Sequence, residues 1–195
     1  MSRMSRRSLP VVASLLMLTS VTATQQPAHV HGIATLNLAM EGNKLEIEFV
    51  SPSGNIVGFE HEAVTAAERR AIRDAIEQLR KGNELFDLPL AASCSLHVAE
   101  VEHGHGEEEK SEDGHGRDAE HDDHDEHGQA VEEGDTHSEF HAHYHYECNG
   151  SAIGTIGVRL FDYWPRIKGI RVQALTPDGQ FGGVAKADDP VIRLR

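Results

Sequence analysis

Residues Glu102–Glu139 cannot enter a hydrophobic core. The segment holds 16 acidic residues against only Lys110 and Arg117, together with seven of the chain's 14 histidines. Burying unpaired carboxylates costs far more than apolar packing returns, so any folded domain must be built from the flanks and leave this segment outside. Low hydrophobicity with high charge predicts a disordered, solvated insert. The net charge of −14 is also local to it, because the rest of the chain carries 16 acids and 16 bases. Such a patch repels nucleic acid and anionic membrane and attracts cations.

The flanks read as two strands of one hairpin. Ser95–Val101 precedes the insert and Phe140–Cys148 follows it, each alternating apolar and polar residues. Cys94 and Cys148 are the only cysteines. In an oxidising compartment an isolated pair reads as one disulfide rather than a thiolate metal site. If the two cysteines face each other across an antiparallel ladder, Leu96 lies opposite Tyr146 and Val98 opposite Tyr144 on the core face. His97 then lies opposite His145, Ala99 opposite His143 and Val101 opposite His141 on the other face.

That compartment is implied by the N-terminus. Arg3, Arg6 and Arg7 precede the apolar run Leu9–Leu18, and Val21-Thr22-Ala23 places small residues where a signal peptidase reads. Residues 1–23 are expected to be a secretory signal. No cysteine stands at the cleavage site to take a lipid, and no later segment is apolar over a membrane-spanning length. The expectation is a soluble, exported protein without stable membrane insertion, one folded domain over 24–195 with the insert 102–139 inside it.

The remaining pattern is mixed. Ile33–Met40 and Lys44–Val50 alternate around Glu41-Gly42-Asn43 as a β-hairpin. Ile56–Phe59 is an irregular apolar segment expected to plug the core. Thr65-Ala66-Ala67-Glu68 has the spacing of a capping box, and Ile72, Ala75, Ile76 and Leu79 form one helical stripe that Gly82 can end. Ile156–Trp164 is read as a short helix before Pro165, with strands at Ile170–Leu175 and Val191–Leu194 and a turn at Pro177-Asp178-Gly179. The fold class is therefore α+β: a small antiparallel sheet, one main helix packed on it, and the long insert at a hairpin tip.

The histidines carry the chemistry. His103-x-His105, His121-x-x-His124-x-x-His127 and His141-x-His143-x-His145 bring imidazoles close in sequence, among carboxylates. Neutral nitrogen donors with supplementary oxygens suit Zn²⁺, and Ni²⁺ or Cu²⁺ also bind imidazole. His115 and His137 lie in the same insert, and His29-x-His31 repeats the short spacing ahead of the first strand. A segment needing charge alone would not use histidine so densely, so the insert is expected to bind metal. Strand alternation places His141, His143 and His145 on one face, where His97 across the ladder would complete a preorganised site. His61 is read as structural. Soft ligands are scarce, which argues against a dedicated Cu(I) carrier.

Taken together, His29-Val30-His31-Gly32, Leu36-Asn37-Leu38-Ala39, Leu45-Glu46-Ile47-Glu48, Ser51-Pro52 with Asn55, and Val57-Gly58-Phe59-Glu60-His61 form a recognisable series. Leu85-Phe86-Asp87-Leu88-Pro89, Cys94, Glu139-Phe140-His141-Ala142-His143-Tyr144, Cys148, Val158-Arg159-Leu160-Phe161 and Ile170-Arg171-Val172-Gln173 continue it. The chain resembles the periplasmic zinc-uptake family typified by ZrgA over essentially its whole length beyond the leader. The resemblance implies a Gram-negative periplasmic protein that binds zinc and assists its acquisition beside an ABC importer or its binding protein. Gly54 stands where the family pattern implies alanine, a departure expected to be neutral.

Two other functional classes compete. A passive store of zinc, nickel or copper would need the insert alone. A zinc enzyme would need fixed ligands, an open position and a held base, and the sequence has no HExxH and no nucleophile constellation. A binding protein, not an enzyme, is the expectation.

Overall fold

The computed structural model describes residues 30–105 and 137–194. The expected leader, His29 and the central part of the insert, with His115, His121, His124 and His127, lie outside the described residues. The chain forms β1 (Ile33–Glu41), β2 (Lys44–Pro52), a one-turn α1 (Ser53–Ile56), the helix α2 (Ala66–Leu79), a one-turn α3 (Gly82–Leu85) and β3 (Phe86–Asp87). Then follow β4 (Cys94–His105), β5 (Ser138–Cys148), β6 (Thr155–Val158), a one-turn α4 (Leu160–Tyr163), β7 (Gly169–Thr176), β8 (Gly179–Ala185) and β9 (Val191–Arg193).

The expected small antiparallel sheet is instead a large mixed one. Six strands run in the order β4-β5-β2-β1-β7-β8, and β3-β6-β9 form a second, three-stranded sheet. β1 pairs with β7 in parallel, Leu36 beside Val172. A parallel partner must come from far along the chain through a crossover, so hairpin-by-hairpin reading cannot supply it. The expected helix over Ile156–Trp164 is β6 followed by α4. Its first half alternates, with Ile156 and Val158 buried, which is the period of a strand rather than a helix.

Period-two alternation builds the core face. Leu36, Leu45, Ile47, Phe49, Phe140 and Tyr144 are all essentially fully buried. α2 begins with the expected capping box: the Glu68 backbone N–H donates to Thr65 Oγ1, and the Thr65 backbone N–H donates to the Glu68 carboxylate. Ala75 and Leu79 of its stripe are buried, while Ile72 and Ile76 pack against the core. At its far end the Tyr144 hydroxyl donates to the Leu79 carbonyl at 2.7 Å, which joins helix to sheet and satisfies a terminal carbonyl. Burial pushes the Tyr144 phenol well above its ordinary pKa. Gly82 does not end α2, which is capped at Arg80. Instead it opens α3, where a Cβ would meet Tyr146 Oη at 2.7 Å and Tyr144 Cδ1 at 2.8 Å. Ile56 plugs the core as expected, but Phe59 is only half-buried.

Cys94 and Cys148 form the disulfide. Cys94 pairs with Cys148 and Leu96 with Tyr146, but the ladder then shifts by one residue at His97. Beyond the shift Val98 lies opposite His145, Ala99 opposite Tyr144, Glu100 opposite His143 and Glu102 opposite His141. The expected pairs of Val98 with Tyr144 and of His97 with His145 do not form. An unbroken ladder would turn Glu100 and Glu102 toward the core beside Ala142 and Phe140. One bulged residue moves both carboxylates outward and brings Ala99 and Val101 in. The hairpin reaches into both ends of the expected 102–139 insert: β4 and β5 stay paired to His105 and Ser138, and Ser138 and Glu139 are buried.

Candidate metal centre

The histidines expected to share one face of β5 do so, but they do not converge. His97, in the bulge, has Nε2 at 3.6 Å from Glu147 Oε2, and His145 Nδ1 lies 3.5 Å from Glu46 Oε1. His141 Nε2 stands 3.6 Å from Glu139 Oε2. His103 falls on the opposite face, where it contacts Ser53 Oγ at 3.1 Å and its ring lies 4.4 Å from that of Phe140. His61 stacks on Phe59 and contacts the Glu62 carbonyl, in keeping with a structural role.

Another group converges instead. Among the described residues, one set of three potential ligands has all its ligand atoms within 4.8 Å of one another: His31, Glu60 and His137. His137 Nδ1 lies 2.5 Å from Glu60 Oε2, and His31 Nε2 lies 3.0 Å from Glu60 Oε1. The two rings meet edge to face at 6.3 Å. The Glu60 side chain is only 12% exposed, against 38% for His137 and 74% for His31, so the carboxylate forms the floor and the imidazoles the rim.

Three separate stretches of chain meet here, and each is held by its backbone. Asn55, buried in α1, accepts from the Gly32 N–H at 2.7 Å and donates to the Ile33 carbonyl at 3.1 Å. Gly32 has φ 83°, a conformation that favours glycine, and this bend sets His31 at the entrance to β1. The Ser138 hydroxyl donates to the Glu60 carbonyl at 2.9 Å, and the Ser138 N–H donates to the same oxygen. Glu60 is thereby tied to the start of β5, one residue from His137. Gly54 lies under the carboxylate, where a Cβ would stand 2.6 Å from Glu60 Oε1.

The donor set fits zinc. Tetrahedral zinc with bonds of about 2.0–2.1 Å keeps its ligand atoms about 3.3 Å apart, a separation the two imidazoles reach by moving slightly outward from their present 3.0 Å and 2.5 Å contacts with Glu60. Glu60 Oε1 is buried and accepts no hydrogen bond from any described residue, although His31 Nε2 is near. A buried carboxylate oxygen facing an imidazole nitrogen without a directed N–H is short of one electrophile. A divalent cation between them would supply it. Two neutral imidazoles and one carboxylate leave a fourth position for water or a further donor.

His31 and His137 were legible in the sequence as candidate ligands. Glu60 was not, although it sits within Val57–His61, and neither was the positioning role of Asn55. Its signal was the Ser51-Pro52-x-x-Asn55 spacing, which closes β2 onto α1. The profile of the ZrgA family zinc uptake protein matches residues 28–194. The chain belongs to the ZrgA family. No match is found among curated proteins. Family membership supports a role in zinc uptake, and all three converging residues lie within the matched span. Among the described residues no helix is long and apolar enough to cross a membrane.

Proposed function

We propose that this chain is an exported periplasmic accessory protein that captures Zn²⁺ at His31, Glu60 and His137 and passes it to an importer. The importer would be an ABC transporter or its zinc-binding protein. The observation that carries this reading is the buried Glu60 carboxylate, with one oxygen lacking a hydrogen bond from the described residues, between two histidines from distant parts of the chain. The exposed His31 rim gives an incoming acceptor access to the ion. The leader-like residues 1–23 support export. The insert would gather cations around this centre through many interchangeable ligands. Nickel or copper would also suit imidazoles, but the family points to zinc.

Passive storage is the second reading, favoured by the ligand density of the insert. Calorimetric titration with Zn²⁺ separates the two. The deletion must be restricted to residues 106–136, because removing all of Glu102–Glu139 would take His137 and Ser138 from the centre. A capture protein keeps one tight site after this deletion and loses it on His31→Ala or Glu60→Gln. A store loses its tight binding with the insert, and that result would overturn the proposal. We favour binding over catalysis because the polar neighbours Asn55 and Ser138 are engaged in holding backbone rather than placed as a base.

A further inference from the structure

The register shift at His97 has a second effect, on the outer face of the six-stranded sheet. Beyond it, His143 of β5 is flanked by Glu100 of β4 on one side and Glu48 of β2 on the other. His145 is flanked by Glu46 of β2 and by Val98. Directly opposed residues on adjacent strands have Cβ atoms about 4.5–5.5 Å apart. His143 and His145, two apart on one strand, point to the same side with a backbone advance of about 7 Å. From these placements we propose a second divalent-cation site, formed by His143 and His145 with Glu48, Glu100 and Glu46.

Three observations carry the site beyond a merely solvated polar face. His143 is half-buried, and its imidazole makes no hydrogen bond or ion pair with another described residue. The row through it contains no cation: Glu100, His143 and Glu48 are followed by Asn37 of β1 and Gln173 of β7. Two carboxylates thus flank one imidazole with no positive side chain in the row to balance them. Glu48 is already oriented, since Asn37 Nδ2 donates to its Oε2 at 2.7 Å. This is the kind of outer support that fixes a ligating carboxylate and leaves its other oxygen available.

The chemistry selects a cation that accepts mixed nitrogen and oxygen donors, of which Zn²⁺ is the type. The ligand atoms are not gathered here as those of His31, Glu60 and His137 are; His145 Nδ1 and Glu46 Oε1 stand 3.5 Å apart, and ligation requires these half-exposed side chains to turn onto an ion shared with His143. The site is open to solvent, unlike the Glu60 floor. Its hold on zinc is therefore weaker and its exchange faster than at His31, Glu60 and His137. It uses none of the residues of that centre, although His137 leads into the same β5, and does not depend on it.

Histidine acylation of the full chain, read residue by residue by peptide mass spectrometry across a Zn²⁺ titration, tests the proposal. His143 and His145 should become protected at higher zinc concentration than His31 and His137. Glu48→Gln combined with Glu100→Gln should weaken protection at His143 while leaving His31 and His137 unchanged. In a His31→Ala, His137→Ala variant, protection at His143 and His145 should persist, so failure of the first centre is distinguishable from failure of this one. Unchanged acylation of His143 and His145 through saturation of the first centre and well beyond would overturn the proposal. So would protection that disappears in the His31→Ala, His137→Ala variant, since it would then report a conformational effect of the first centre.

Discussion

Gly54 and the Glu60 carboxylate share a space that a methyl group would fill: a Cβ at position 54 would stand 2.6 Å from Glu60 Oε1. The glycine, expected from sequence to be a neutral departure, therefore bears on the candidate metal centre. Gly54→Ala should displace the carboxylate, which is the free end of a flexible side chain, rather than the backbone. The expected outcome is a loss of about tenfold or more in zinc affinity at the tight site, as for other changes behind a ligand. Thermal stability should change little. Zinc titration beside thermal unfolding checks both, and an unchanged affinity would show that the carboxylate can ligate from a shifted position.

Asn55 acts on the same centre through the backbone. Its side chain bridges Gly32, Ile33 and Ser51 from a buried position. Asn55→Ala removes these three hydrogen bonds, two of them part-buried and one buried, at a cost of about 1–3 kcal/mol. Urea denaturation should show that loss without metal. Zinc binding should weaken further, because His31 is no longer fixed at the entrance to β1.

Zinc binding should depend on pH with a definite sign. An imidazole ligates only when neutral, so protons and zinc compete at His31 and His137. Affinity should be full above neutrality and fall as the pH is lowered. Titrations between about pH 7.5 and about pH 5 measure it. Flat affinity across that range would assign the ion to carboxylates alone.

The start of α2 gives a pH dependence of a different kind. The Thr65 backbone N–H holds the Glu68 carboxyl below its ordinary pKa, with partial desolvation opposing it and the Thr65 hydroxyl, Val64 N–H and His61 assisting. A carboxyl depressed in the folded state contributes stability that is present above its unfolded pKa and lost as pH falls through its folded one. Glu68→Ala should therefore destabilise the protein at neutral pH, and the gap from the parent should close in acid. Thr65→Ala should cost about 1 kcal/mol through loss of the cap. Chemical denaturation at several pH values reads both effects.

The sequence alone determined whatever rests on neighbours along the chain. Alternation marked β1, β2, β4 and β5, Thr65 and Glu68 marked the start of α2, and the charge of Glu102–Glu139 marked an insert between two strands, although Ser138 and Glu139 at its end are buried in β5. These features need only residues a few positions apart to satisfy one another. Residue type also identified the chemistry, since dense imidazoles among carboxylates suit zinc whatever the fold. The tertiary structure decided which ligands meet. Glu60 and His137 are 77 residues apart, and they converge because Ser138 ties the start of β5 to the Glu60 carbonyl. The sharper site expected around His97, His143 and His145 lost its register for a core reason: a ladder that kept His97 opposite His145 would have buried Glu100 and Glu102. Keeping those two carboxylates in water required one bulged residue. That bulge set His97 aside, while the centre with the most deeply buried carboxylate formed where β1, the segment after α1 and β5 come together.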